Sequence, residues 1–146
     1  GDKTGIVPEV EVWGHSKTLG RLGEAVFVAI ESGHRSACLL PDVYHIFKGG
    51  SDFHGLKMIN GAAIPVFHMN DYPASPTREE QTDAHRVYPG DGVAPLKQVY
   101  HTLREIGFRG YLSLELFNPG YWQQDPAAVA AEGLKKMQTA VTAAGF

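Results

Sequence analysis

Cysteine is almost missing from this chain: Cys38 is the only one in 146 residues. Disulfides therefore cannot define the fold, and Cys38, set in the apolar run 37–40, reads as a small buried hydrophobe. Long apolar runs are missing too, since none approaches the roughly 20 residues needed to span a bilayer. There is no cluster of Lys and Arg and no acidic tail, and the net charge is −3. That balance disfavours nucleic acid or a membrane surface as the main partner. The chain has no visible repeat and no initiator methionine, opening instead on Gly1-Asp2-Lys3-Thr4. An upstream portion is therefore expected to be missing. A cytoplasmic location is the expectation, with an upstream signal left open. What remains is a globular composition, 43% hydrophobic and 20% charged, which suits one folded domain over residues 1–146.

The pattern is set by Ile64-Pro65-Val66-Phe67-His68-Met69-Asn70-Asp71. A β-branched and aromatic run ends in an imidazole, an amide and a carboxylate, and Tyr72-Pro73 breaks it. A buried parallel strand delivering polar groups at its C-terminal end reads this way. Three other strand-like runs end alike, in Glu11, in Asp42 with His45, and in Glu115. Any one of these ends reads equally well as an ordinary strand-to-loop transition. Four together, all carrying metal-ligand residue types, point to one shared site.

Taken in order, the spacing predicts strands at 10–13, 37–40, 62–67 and 111–117. Helices are predicted over 19–32, 53–59, 95–106 and 125–144, with Thr18 capping the first and Pro126 at the first position of the last. The irregular stretch 69–92 is long for a compact domain, which marks it as functional. The order β-α-β-α-β-α-β-α predicts an α/β fold of four βα units, with a parallel sheet, helices outside it and active residues at the strands' C-terminal ends. Four such units strain to complete a doubly wound sheet and make half of an eight-stranded barrel naturally.

Glu11, Asp42, His68 and Glu115 are three carboxylates and one imidazole. Such a set suits an oxygen-preferring divalent ion (Mn²⁺, Mg²⁺ or Co²⁺) that leaves positions open for substrate oxygens. Zn²⁺ also fits, although it favours more nitrogen or sulfur. A metal chelating adjacent oxygens of a sugar polarises its carbonyl and acidifies the neighbouring C–H. Two glutamates on opposite sides of that carbon can remove and return the proton. Each glutamate alone reads equally well as a salt bridge at a strand end.

At these residues the chain resembles the C-terminal half of the sugar phosphate isomerase/epimerase family, the xylose-isomerase-like TIM barrels. The carriers are Val10-Glu11-Val12-Trp13-Gly14-His15, Asp42-Val43-Tyr44-His45, His68-Met69-Asn70-Asp71, Arg86-Val87-Tyr88-Pro89-Gly90-Asp91-Gly92 and Ser113-Leu114-Glu115-Leu116-Phe117. The resemblance implies a metal held by Glu11, Asp42, His68 and Glu115. Glu11 and Glu115 would double as the acid/base pair for an enediolate intermediate of a sugar or sugar phosphate. It gives His45 and Arg86 substrate oxygens or phosphate to hold, and it sets Trp13 and His15 along the pocket, with Trp13 equally readable as core. Tyr121 and Trp122 read either as a wall of the site or as packing for the last helix. His34, His54 and His101 read as surface residues. Because the family barrel has eight βα units, the resemblance also implies a missing N-terminal half or a second subunit, with a homo-oligomer expected.

Two other readings stay open. Asp83 and His85 resemble a pair that binds a further zinc in endonuclease IV, which would make the protein a metal-dependent phosphodiesterase. The charge balance and the Arg86 stretch favour the isomerases, and Asp83 and His85 then read as a solvated loop. The remaining alternative is a half-barrel that binds a ligand without turnover.

Overall fold

Four short strands run parallel, each followed by helical chain that returns along one side of the sheet. The computed structural model describes residues 1–145. Its elements are β1 (Val10–Glu11), α1 (Leu22–Glu31), β2 (Leu39–Leu40), α2 (Val43–Lys48), β3 (Val66–Met69), α3 (Leu96–Glu105), β4 (Tyr111–Leu114), α4 (Pro119–Trp122) and α5 (Pro126–Ala143). Turns of 3-10 helix lie at Phe53–Met58, Gly61–Ala63 and Asp83–His85. β1 pairs with β2, Glu11 opposite Leu40, and β3 pairs with β4, His68 opposite Ser113. The two pairs meet at a single parallel bridge between Asp42 and His68, where the His68 amide donates to the Pro41 carbonyl at 2.9 Å. This is the expected architecture of four βα units.

Side chains alternate across a strand, so the register decides what each face carries. Phe67 and Met69 of β3 are buried, while Val66 and His68, which alternate with them, are half-buried. Phe67 and Met69 join Val12 and Leu39, Leu22 and Ala25 of α1, Val43 and Ile46 of α2, and Val99 and Leu103 of α3 in one core. Met137, Ala140 and Val141 of α5 pack against it from outside. The opposite face follows by the same count. Glu11 aligns with Leu40, Asp42 lies two residues on and bridges to His68, and Glu115 lies two residues beyond His68's partner Ser113. Period two and this register place Glu11, Asp42, His68 and Glu115 on one side of the sheet.

Several boundaries differ from the sequence reading. The helix expected over 19–32 begins at Leu22, because the Ser16 hydroxyl accepts the amides of Thr18 and Leu19 and folds that segment as a turn. The strand expected over 62–67 moves to Val66–Met69, since Asn60 caps a 3-10 turn at Gly61–Ala63. The short helix over 53–59 is a 3-10 segment. Two helices were unforeseen. α2 starts directly after Asp42, whose carboxylate accepts the His45 amide at 2.8 Å as its N-cap, and α4 starts after Asn118 in the same manner. Glycine is required where α2 ends: a Cβ on Gly49 would lie 1.8 Å from the Gly20 carbonyl oxygen, so only Gly lets the two loops touch. No described helix is long and apolar enough to cross a membrane.

Candidate active site

The end of each strand contributes one donor. Glu11 closes β1, Asp42 stands at the N-cap of α2, His68 lies within β3, and Glu115 follows β4. His68 Nδ1 lies 3.3 Å from Glu115 Oε2, 3.8 Å from Asp42 Oδ2 and 3.9 Å from Glu11 Oε1. That nitrogen is buried and makes no hydrogen bond. Ligand atoms of Glu11, His68 and Glu115 all lie within 4.8 Å of one another. Metal–ligand bonds of about 2.1 Å would set such atoms roughly 3 Å apart, so a small contraction closes the set on an ion. Two carboxylates and one orphaned imidazole nitrogen thus fit a divalent metal, with Asp42 Oδ2 3.8 Å from the same nitrogen.

Asp42 is fixed from several directions. Besides the His45 amide it accepts from Asn70 Nδ2 at 2.9 Å and from Arg86 Nη1 at 3.3 Å. Asn70 in turn accepts the Tyr44 amide at 2.8 Å. Burial raises the Asp42 carboxyl to about 7, against the opposing pull of Arg86 and the His45 N–H. Burial also works upward on Glu115, but the charge of His68 and the hydrogen bond and charge of Arg86 outweigh it and hold the carboxyl near 2. Glu11 is raised, by burial first and then by the charge of Glu115. His68 is raised because Glu115, Asp42 and Glu11 together overcome its burial. The two glutamates are thus pushed apart in proton affinity, as an acid and a base require.

Arg86 is 1% exposed and reaches the site from the long loop. Nη1 donates to Glu115 Oε2 at 2.7 Å, and Nη2 meets both Asp83 and, at 2.7 Å, His45 Nε2. An arginine N–H can only donate, so His45 Nε2 accepts and the ring is neutral. Burial, reinforced by Arg86, accordingly lowers His45 to about 3. The guanidinium carbon lies over the rings of Tyr44 and Phe117, at 4.8 and 5.0 Å. His15 Nε2 stands 3.3 Å from Asp83 Oδ2, and the His15 ring lies 6.1 Å from that of Trp13, which is half exposed at the rim.

These positions correct one expectation and sharpen others. Asp83 is not a solvated loop residue; it is half-buried and paired with Arg86 and His15. His85, by contrast, turns its Nδ1 to the Thr82 amide at 3.0 Å and does not join it. The group that does converge is His15, His45 and Asp83, and the Arg86 guanidinium already bonds two of its members. Tyr121 packs on Tyr88 at 4.4 Å, whose hydroxyl reaches the Val129 carbonyl of α5, while Trp122 is exposed. Tyr44 was not expected at the site, and Asn70 supports Asp42 from behind. Asn70's place directly after a ligand-bearing strand was the available signal.

The relatives are consistent with this geometry. An inosose isomerase of Halalkalibacterium halodurans is 32% identical over 120 residues, covering 82% of this chain and 42% of that enzyme. A 3-dehydroshikimate dehydratase of Pseudomonas putida is 27% identical over 73% of this chain and 17% of its own length. The crystal structure of the IOLI protein with a bound zinc atom superposes with a TM-score of 0.85 at 28% identity, covering 92% of this chain and 48% of that one. The chain thus spans less than half the length of these relatives. Residues 2–140 match the family described as the xylose isomerase-like TIM barrel, and the chain belongs to that family.

Proposed function

We propose that this chain is the metal-binding half of a divalent-metal-dependent isomerase or epimerase that acts on a ketose or keto-polyol by proton abstraction next to a carbonyl. The observation that carries this reading is His68 Nδ1, buried, without a hydrogen bond, and faced by the carboxylates of Glu11, Asp42 and Glu115. Relatives that act on an inosose and on 3-dehydroshikimate support it, because both substrates are ketones. A bound divalent ion supplies Lewis-acid polarisation of substrate oxygens. Zinc, present in the IOLI structure, and manganese, magnesium or cobalt, suited to an oxygen-rich set, are the candidate ions.

The chain's own residues do the rest. Glu115, held ionised by Arg86 and His68, takes the proton from the carbon beside the carbonyl. Glu11, with its raised proton affinity, returns one to the neighbouring position. Arg86 keeps Glu115 aimed while Tyr44 and Phe117 cover its guanidinium, and Trp13 and His15 line the rim where a sugar ring would lie. An N-terminal half-barrel, or a second subunit in a homo-oligomer, completes the wall opposite. The phosphodiesterase alternative is weaker, because Arg86 bonds both His45 and Asp83 and His85 stands apart.

The test is Glu115→Gln. It should retain the fold and lose exchange of the substrate's α-hydrogen in deuterated water by about 10²–10⁴-fold. Undiminished exchange would remove Glu115 from the chemistry.

A further inference from the structure

The segment 72–94, which carries both Arg86 and Asp83, has little regular structure, yet its base is built around one side chain. Asp71 is 1% exposed. Its Oδ1 accepts the amides of Tyr72 and Ala94, both at 2.8 Å, and its Oδ2 accepts those of Gly90 and Gly92, at 3.0 and 3.1 Å. Its backbone exchanges two hydrogen bonds with Val87, the residue after Arg86, at 2.9 and 3.0 Å. One carboxylate therefore ties the outgoing limb of the loop to the returning one at four amides. Gly92 shows how tight this is: a Cβ there would lie 2.3 Å from Asp71 Oδ1 and equally close to the Tyr72 carbonyl oxygen. The outer part of the loop has its own anchor. The Lys48 ammonium at the end of α2 donates to the carbonyls of Gln81, Arg78 and Glu79 at 2.7, 2.9 and 3.0 Å.

We propose that Asp71 is the positioning residue of the site, fixing the loop so that the Arg86 guanidinium is delivered in register to Glu115 and Asp42. The role assigned to Glu115 under the isomerase reading is the one on which this rests. Asp71 touches neither the four donors nor any position open to substrate; it acts through the backbone on either side of Val87. A carboxylate is needed because both oxygens face N–H donors, which an amide nitrogen cannot accept. A misplacement of about 1 Å at Arg86 is enough to cost about 10²-fold in rate.

The experiment compares Asp71→Asn, Arg86→Lys and the double variant in the full-length, zinc-loaded protein, with an inosose as substrate. Asp71→Asn should lower kcat by about 10²-fold with a much smaller change in KM, leave the zinc content unchanged, and add nothing to the loss caused by Arg86→Lys. By NMR the amides of Tyr72, Gly90, Gly92 and Ala94 should exchange faster, and the slowly exchanging guanidinium N–H signals of Arg86 should vanish. Losses that multiply in the double variant, or Arg86 signals that persist in Asp71→Asn, overturn the proposal. If the unaltered protein turns over neither an inosose nor a ketose, the isomerase reading falls, and the Arg86 signals still decide the role of Asp71. If Asp71→Asn does not fold, Gly92→Ala, which pushes the same carboxylate from the opposite side, is read by the same two criteria.

Discussion

Asp42 serves three neighbours at once, and its removal should expose all of them. Asp42→Ala deletes a proposed metal donor, the N-cap of α2 and a counter-charge of the buried Arg86. The expected outcome is loss of bound metal by elemental analysis. Destabilisation of about 3–5 kcal/mol should accompany it in chemical denaturation, because a buried cation loses a partner. Retained metal would refute the ligand assignment. The same residue sets a pH dependence. Metal ligands must bind unprotonated, and both Asp42, at about 7, and His68 are raised. Protons therefore compete from a higher pH than usual: affinity is full above this range and falls as pH drops through it. Between about pH 8 and pH 6 the affinity for zinc, measured calorimetrically, should fall by up to about tenfold per pH unit for each proton displaced. A flat profile would contradict the raised values.

At the scale of elements, α3 and α5 were legible within one or two residues, because each is long enough for an apolar stripe and α5 opens on Asp125-Pro126. Asp125 accepts the Ala128 amide at 2.9 Å, so Asp125→Ala should lower stability by about 1 kcal/mol without altering metal affinity; thermal melts and a metal titration check both halves. α2 was not legible. Its six residues are too few to show a helical period, and its N-cap had already been read as the end of a strand. The four proposed donors could be named because each sits beside a strand end, where a sequence pattern can see it. Arg86's partners were not, since its bonds to His45 and Asp42 cross 41 and 44 positions. Asp71 could be read no further than as a residue at the start of the loop, for the opposite reason: its partners are backbone amides, which carry no residue signature.

For the whole molecule, the face opposite the helices is open. Tyr111 is 79% exposed, and Trp13 and Phe117 are 50% and 42% exposed. β1 and β4 also end the sheet without a further strand, and unpaired edges of this kind seek a partner. Residues 1–146 expressed alone should therefore associate in a concentration-dependent manner in sedimentation experiments, and bind a hydrophobic dye. A monomer at every concentration, with no dye bound, would mean that this face needs no cover.

The joint between the two strand pairs has a consequence for how such a molecule holds itself together. β1–β2 and β3–β4 each have a ladder, but among the described residues they are joined at the Asp42–His68 bridge alone, where His68 donates to Pro41. Glu11 and Asp42 belong to one side of that seam, His68 and Glu115 to the other. An ion held by the proposed four would be a rivet through the sheet at its thinnest point. Under that proposal, loading the site and stiffening the fold would be the same event, and a chelator would act on this protein as a denaturant directed at one joint.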